Sequence, residues 1–299
     1  MGVIEELQAA IEQVSSTAGR SVVGIGSRHR GSGVVVGEGR VLTNAHNIRG
    51  EEVTVRFADG RTTRGRLAGV DVDGDVAVID VDTAGAPAIA WEPDGPLPVG
   101  SVVFGAASSP AGGTRVTLGT ISAVGRAFRG PGGRRIAGSL EHTAPLAPGS
   151  SGGPLLDAEG RFRGLNTNRL GDGFYLALPA DQALRDRVDA LGRGEAPQRP
   201  RLGVAVAPGH VARRLRRSVG LSERDGVLVR AVEDGSPASR AGIIQGDLIV
   251  EVAGRPVTDA DELVDAIGSA SETYEIKLVR GAEERTVAVG SGSTASGEA

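Results

Sequence analysis

Pro148-Gly149-Ser150-Ser151-Gly152-Gly153-Pro154, read with Leu42-Thr43-Asn44-Ala45-His46, decides how this 299-residue chain is to be understood. The first stretch sets a serine among glycines, where a tight turn exposes a hydroxyl and aims backbone N–H groups at one point. The second supplies a base. A Gly/Ser run is also the composition of a flexible linker, but the flanks here belong to a folded turn. Leu155 and Leu156 follow at once, and Asp157-Ala158-Glu159-Gly160 reads as a hairpin turn into Arg161-Phe162-Arg163-Gly164-Leu165. A serine and a histidine in such settings are two parts of a nucleophilic acyl-transfer site.

The chain has four histidines: His29, His46, His142 and His210. His46 follows Val34-Val35-Val36, a Gly37-Glu38-Gly39 turn and Arg40-Val41-Leu42, so it ends the second strand of a hairpin. His142, between Glu141 and Thr143, reads as a strand-surface residue, and His29 and His210 as exposed loop or turn residues. A third group must fix the imidazole tautomer, and the run Asp71 to Asp80 offers Asp71, Asp73, Asp75 and Asp80. Asp71 and Asp73 read as solvated turn residues. Asp75 directly precedes Val76-Ala77-Val78-Ile79, so it can point inward at the start of a strand. Spacing alone does not choose among the four.

The order His, Asp, Ser with these local words resembles the trypsin-like serine proteases, specifically the HtrA/Deg family. The matching words are Thr43-Asn44-Ala45-His46, Asp75-Val76-Ala77-Val78, Val116-Thr117-Leu118-Gly119-Thr120-Ile121-Ser122, Pro148 to Pro154 and Gly164-Leu165-Asn166-Thr167. The resemblance selects Asp75 as the acid and implies a chymotrypsin-like pair of antiparallel β-barrels. The strand pattern from Ser21 to Pro179 by itself would also allow a sandwich. By the same resemblance His46, Asp75 and Ser151 form the triad, and Gly149, Ser150 and Ser151 form the oxyanion turn, with Ser150 where relatives carry Asn or Asp. An acid six residues before the nucleophile marks relatives that cut after Lys or Arg, and this chain has Pro145 there. By the resemblance Pro145, Thr167, Arg169 and Leu176 are the expected specificity-pocket residues, with Arg169 either turning outward to solvent or entering the pocket and changing its preference; Phe174 and Tyr175 are expected to shape the same pocket.

The last hundred residues read as a second unit. Arg201-Leu202-Gly203-Val204-Ala205-Val206, Gly226-Val227-Leu228-Val229, Gly235-Ser236-Pro237-Ala238 and Gly246 to Val252 resemble a PDZ domain, completed by a short helix from Asp259 to Gly268. That resemblance implies an extended peptide added beside an edge strand. Its carboxylate would lie at Arg201, Leu202, Gly203 and Val204, with Leu263 and Ile267 lining the pocket; ordinary core packing is the competing role for those two. Arg213, Arg214, Arg216 and Arg217 read as a solvated helix face. The boundaries follow: an N-terminal helix over 1–20, a trypsin-like domain over 21–195, a linker over 196–200, a PDZ domain over 201–290 and a disordered tail over 291–299. The fold class is mainly β, with the smaller second unit α/β.

Composition bounds the rest. With no cysteine there is no disulfide and no thiolate metal site, and a net charge of −4 gives no reason to expect a nucleic-acid partner. No metal or organic cofactor is implied. Met1 to Val14 has acidic residues and an amphipathic spacing in place of a basic, apolar leader, which read literally places the chain in the cytoplasm unless a leader was trimmed. No membrane span is expected. The resemblance implies hydrolysis of peptide bonds in unfolded or misfolded proteins, as in protein quality control, with peptide C-termini at the PDZ groove. The alternative is a latent, chaperone-like peptide-binding protein. Relatives commonly form trimers through N-terminal aromatic residues; this N-terminus has none, and a homo-trimer is the assembly to test by light scattering.

Overall fold

Short Val, Ile and Leu runs separated by glycine turns are too brief for helices, and they pair into sheets whose edges close. The structure is a computed structural model, and it describes all residues except 1, 28, 93, 94, 96, 131, 132, 134, 196–200, 208 and 291–299. The expected linker at 196–200 and tail at 291–299 therefore lie outside the described residues. Two compact units divide the chain, Met1–Pro197 and Gln198–Ala299.

The first unit holds two closed antiparallel barrels. One contains β1 (Val22–Ile25), β2 (Gly31–Gly37), β3 (Arg40–Thr43), β4 (Glu52–Arg56), β5 (Thr62–Asp71) and β6 (Val76–Asp80) in the order β1-β2-β3-β6-β5-β4. The other contains β7 (Val102–Ser108), β8 (Thr114–Arg129), β9 (Arg135–His142), β10 (Pro154–Leu156), β11 (Phe162–Gly171) and β12 (Phe174–Pro179) in the order β10-β11-β12-β9-β8-β7. Closure leaves neither barrel with an open edge. Helix α1 (Val3–Ser16) precedes the barrels and α2 (Gln182–Gly192) follows them. Asp181 caps α2 through Leu184 N–H at 2.9 Å, and Leu184, Val188 and Leu191 are its buried stripe.

One core cluster runs through both barrels and both helices, from Val14 of α1 through Val34, Val78, Phe104 and Phe162 to Leu191 of α2. Trp91 is the large side chain that fills it between the barrels and α2. Its ring meets Phe162 edge-on at 5.0 Å, and its Nε1–H donates to the Ala180 carbonyl at 2.9 Å. Arg185 of α2 lies over the same ring and donates to the Trp91 carbonyl at 2.6 Å.

The second unit is an open sheet of β13 (Val204–Ala207), β14 (Val227–Val232), β15 (Leu248–Val252), β17 (Thr273–Arg280) and β18 (Glu283–Gly290), with β16 (Arg255–Pro256) pairing β15. Helices α3 (Gly209–Ser218), α4 (Pro237–Arg240) and α5 (Ala260–Gly268) complete it. Asp247, the one fully buried carboxylate among its described residues, is matched by a two-pronged Arg280, both contacts at 2.8 Å. The solvated arginine face expected on α3 is corrected at one position. Arg216 is buried, its Nε donating to the Ser222 carbonyl at 3.0 Å, because the turn after the helix folds back over it. His210 is exposed as expected but sits on α3 and not in a loop.

Replacing Trp91 with alanine removes the ring contacts and strands the Ala180 carbonyl. It is expected to lower stability by roughly 3–5 kcal/mol, read as a drop in the urea midpoint of the first unit.

Candidate active site

Asp75 is fully buried and sits at φ +56°, a left-handed conformation that costs a non-glycine residue energy. The turn before it explains how it is held. Asp71, expected in solvent, is 3% exposed; its Oδ1 accepts from Gly74 N–H at 2.9 Å, and Arg187 of α2 approaches its Oδ2 at 3.6 Å. Asn44 Nδ2 then donates to the Asp75 carbonyl at 3.0 Å. The Asp75 carboxylate is thereby aimed at His46, which lies in a 3-10 turn (Ala45–Asn47) directly after β3. His46 Nδ1 stands 2.9 Å and 3.0 Å from the two oxygens, and the His46 backbone N–H donates to Oδ1 at 3.2 Å. Since the carboxylate only accepts, Nδ1 carries the proton and Nε2 is left as the base.

Asp75 Oδ2 also accepts from Thr167 Oγ1 at 2.6 Å. Thr167 was expected to line the specificity pocket; it is buried, and its hydroxyl belongs to the Asp75 carboxylate. The Thr167 carbonyl accepts from Ser151 Oγ at 3.0 Å. Among the described residues no hydrogen bond joins Ser151 to His46, so the hydroxyl rests on β11 and must rotate to reach the base.

The serine turn is fixed from outside. The Ser151 carbonyl accepts from Ser32 N–H and from Asn47 Nδ2, both at 2.9 Å. Asn166 clamps the following glycines, accepting from Gly152 N–H at 2.7 Å and donating to the Gly153 carbonyl at 2.9 Å. Gly149 is at φ +87°, with its carbonyl accepting from Ser32 Oγ at 2.9 Å. Among the described residues neither Gly149 N–H nor Ser151 N–H has an acceptor, which leaves two donors for an oxyanion. Ser150 does not share that role: its N–H donates to the Ala147 carbonyl at 3.2 Å because it forms the turn itself.

The other expected pocket residues differ in their exposure. Leu176 is fully buried in the barrel core, Pro145 is exposed, and Arg169 is exposed on the β11–β12 hairpin, 5.8 Å from the Tyr175 ring. Phe174 is exposed and Tyr175 buried. In the second unit Leu263 and Ile267 are packed into the core. Leu202 is buried too, while Gly203 takes φ +77° beside Ser236, and Val204 starts the edge strand β13. Arg201 is exposed and pairs with Glu233 at 3.2 Å.

His142 requires the largest correction. It was expected on a strand surface and has no exposure at all. Its ring stacks on Tyr175 at 5.8 Å, and its Nε2 bonds Asn166 Oδ1 at 3.0 Å. Burial pushes its pKa down to about 4, with the Asn166 bond opposing. Period-2 alternation fails here because both faces of β9 near its end are covered.

The trypsin-like peptidase domain matches residues 31–165, and the PDZ domain matches residues 228–280. A protein of Halomonas elongata named "Probable periplasmic serine endoprotease DegP-like" is 35% identical over 272 residues, which cover 88% of this chain and 56% of that protein. One of the same name from Hahella chejuensis is 35% identical, over 87% of this chain and 56% of its own length. The chain thus spans little more than half the length of these curated relatives. A variant of the HtrA-type protease AlgW with a decapeptide superposes with a TM-score of 0.77 at 25% identity, covering 94% of this chain and 97% of that one. The serine endoprotease from Yersinia pestis gives 0.71 at 28% identity, over 94% and 96%.

These relatives overturn the cytoplasmic location expected from the first residues, since they are named as periplasmic. The composition of Met1 to Val14 does not report the compartment. Among the described residues no helix is long and apolar enough to cross a membrane.

Thr167→Val keeps the shape of the side chain and deletes its donor to Asp75. It is expected to lower kcat roughly tenfold or more with KM little changed, in steady-state peptide cleavage. His142 sets a pH dependence. Its folded pKa of about 4 lies below the ordinary 6.5, so the unfolded chain alone takes up the proton between those values. Stability is whole above that window, falls as pH drops through it and levels off below. Between pH 7 and 4 the wild type should lose about 3 kcal/mol more than His142→Gln in chemical denaturation.

Proposed function

The chain belongs to the HtrA/Deg family of trypsin-like serine proteases with a PDZ domain, and from that premise we propose that it is a serine endopeptidase of unfolded or misfolded proteins. The observation that carries the reading is a fully buried Asp75 bonded to a half-buried His46, beside a serine turn whose Gly149 and Ser151 N–H groups have no acceptor among the described residues.

In the proposed reaction Ser151 Oγ leaves the Thr167 carbonyl, turns to His46 Nε2 and attacks a peptide carbonyl carbon. Its proton passes to Nε2, and Asp75 stabilises the imidazolium that results. The carbonyl oxygen, now carrying the negative charge, is held by the Gly149 and Ser151 N–H groups; each such donor is worth about 3 kcal/mol in comparable sites. Collapse of the tetrahedral species breaks the C–N bond, and His46 returns the proton to the leaving amine. Water then repeats the sequence on the acyl-enzyme, with His46 again as base. The chemistry uses the chain's own groups throughout.

The second unit supplies substrate or regulatory contact. Strand β13 is a sheet edge, so one row of its backbone groups is open to an added peptide strand. The carboxylate of that peptide is placed at Arg201 to Val204, where Gly203 makes the left-handed turn into the edge strand. With Leu263 and Ile267 in the core, side-chain selection there falls to residues on the open side of β13. The compartment is the one its relatives' names give, the periplasm.

The test is digestion of reduced casein together with labelling by a fluorophosphonate. Wild type is expected to cleave and to be labelled, and Ser151→Ala to do neither while keeping its thermal midpoint. A wild type that does neither, with and without peptides bearing apolar C-termini, would favour a latent peptide-binding protein.

A further inference from the structure

A glycine does not hold a left-handed conformation by itself, because many others are open to it. The setting of Gly149 must therefore be imposed by what touches it. Ser32 Oγ holds its carbonyl. The other contact is His29, in the loop between β1 and β2. A Cβ on Gly149 would lie 2.8 Å from His29 Cδ2 and 3.0 Å from Nε2, so the imidazole edge packs against the glycine.

His29 is itself held at unusual expense. It is half-buried and takes φ +53°, a region in which histidine is rare but tolerated. Its N–H donates to the Gly26 carbonyl at 3.1 Å. Arg56 Nη2 stands 3.0 Å from His29 Nδ1, and a guanidinium only donates, so Nδ1 is the acceptor and the ring is neutral. Arg56 also donates to the Ser109 and Pro110 carbonyls, at 3.1 Å and 3.3 Å, which ties the first barrel to the loop after β7. Burial, then Arg56 and then Arg115 lower the His29 pKa below the ordinary histidine value, against a smaller raising effect of the Ser108 backbone.

We propose that His29 is a positioning residue for the oxyanion turn: its neutral ring, oriented by Arg56, presses on Gly149 and keeps the Gly149 N–H turned away from internal acceptors. His29 touches no reacting atom and acts through Gly149. This rests on the endopeptidase reading and adds to it a residue from the first barrel that acts on the second. The sequence words that mark the triad do not include it.

His29→Gly keeps the left-handed backbone and removes the ring. His29→Asn also tolerates that backbone, and its carboxamide restores the acceptor for Arg56 and a planar atom in place of Cδ2, the ring atom nearest Gly149. Measured on a peptide substrate with the full-length chain, His29→Gly is expected to lower kcat tenfold to a hundredfold with KM within about twofold. His29→Asn should recover kcat to within about threefold. A merely structural role would move the thermal midpoint, or kcat and KM together, and would show no such split. Full kcat in His29→Gly, or equal impairment of both variants, overturns the inference alone. A wild type that neither cleaves casein nor takes the fluorophosphonate overturns the endopeptidase reading, and the inference with it.

Discussion

A carboxylate with no exposure to water is tolerable only if its charge is matched by donors, and Asp75 draws those donors from both barrels. His46, in the first barrel, gives its backbone N–H and its ring N–H; Thr167, on β11 of the second, gives its hydroxyl. Parting the barrels would strand a buried charge, a loss of several kcal/mol. The same interaction that sets the tautomer of the base therefore locks the two halves of the site in register. The left-handed backbone at Asp75 is part of this arrangement: Asp71, Gly74 and Asn44 force the turn that brings the carboxylate inward.

The nucleophile turn follows the same logic in the opposite direction. It has almost no side chains of its own to pack, and its rigidity is borrowed. Ser32 and Asn47 reach across from the first barrel to the Ser151 carbonyl, while Thr43 Oγ1 donates to the Ser32 carbonyl at 2.6 Å and holds that residue in place. The glycines are required by closeness: a Cβ at Gly152 would collide with the Ser32 carbonyl, and one at Gly153 with the Ala106 carbonyl. Neighbouring backbone takes up the space that side chains would need.

These facts explain what could be read from the chain and what could not. Ser151 and His46 stand out because a reactive turn needs glycines beside the serine, and a strand end leaves a histidine free; both are local requirements. Two barrels and a PDZ-like unit follow from words spread along the chain. Asp75 was one of four acids on spacing, and only the resemblance separated it, because what selects it is a contact with a residue 29 positions away. Asp71, His142 and Arg216 were misplaced for one shared reason. Each is buried by an element distant in sequence, α2 over Asp71 and β11 and β12 around His142, or by a turn folding back, as over Arg216. Polar residue type signals solvent until such a partner is known. The bond from the Thr167 hydroxyl to Asp75 was not legible either, because the direction of a side chain depends on register. The bulge between Asn166 and Asn168 on β11 changes that register beside Thr167.

The resting place of the Ser151 hydroxyl bears on how ready this site is. Its bond to the Thr167 carbonyl is a neutral one, of the kind worth about 1 kcal/mol net. Rotation toward His46 Nε2 exchanges it for another hydrogen bond, so the rearrangement is a small step beside the 8 kcal/mol or more that enzymes remove from a barrier. Hydrogen bonds of this kind are often loose before substrate arrives. The oxyanion turn is different. Among the described residues its Gly149 and Ser151 N–H groups have no acceptor, and their common aim depends on the left-handed setting of Gly149. In the proposed reaction the setting of Gly149 therefore matters more than the resting place of the serine hydroxyl.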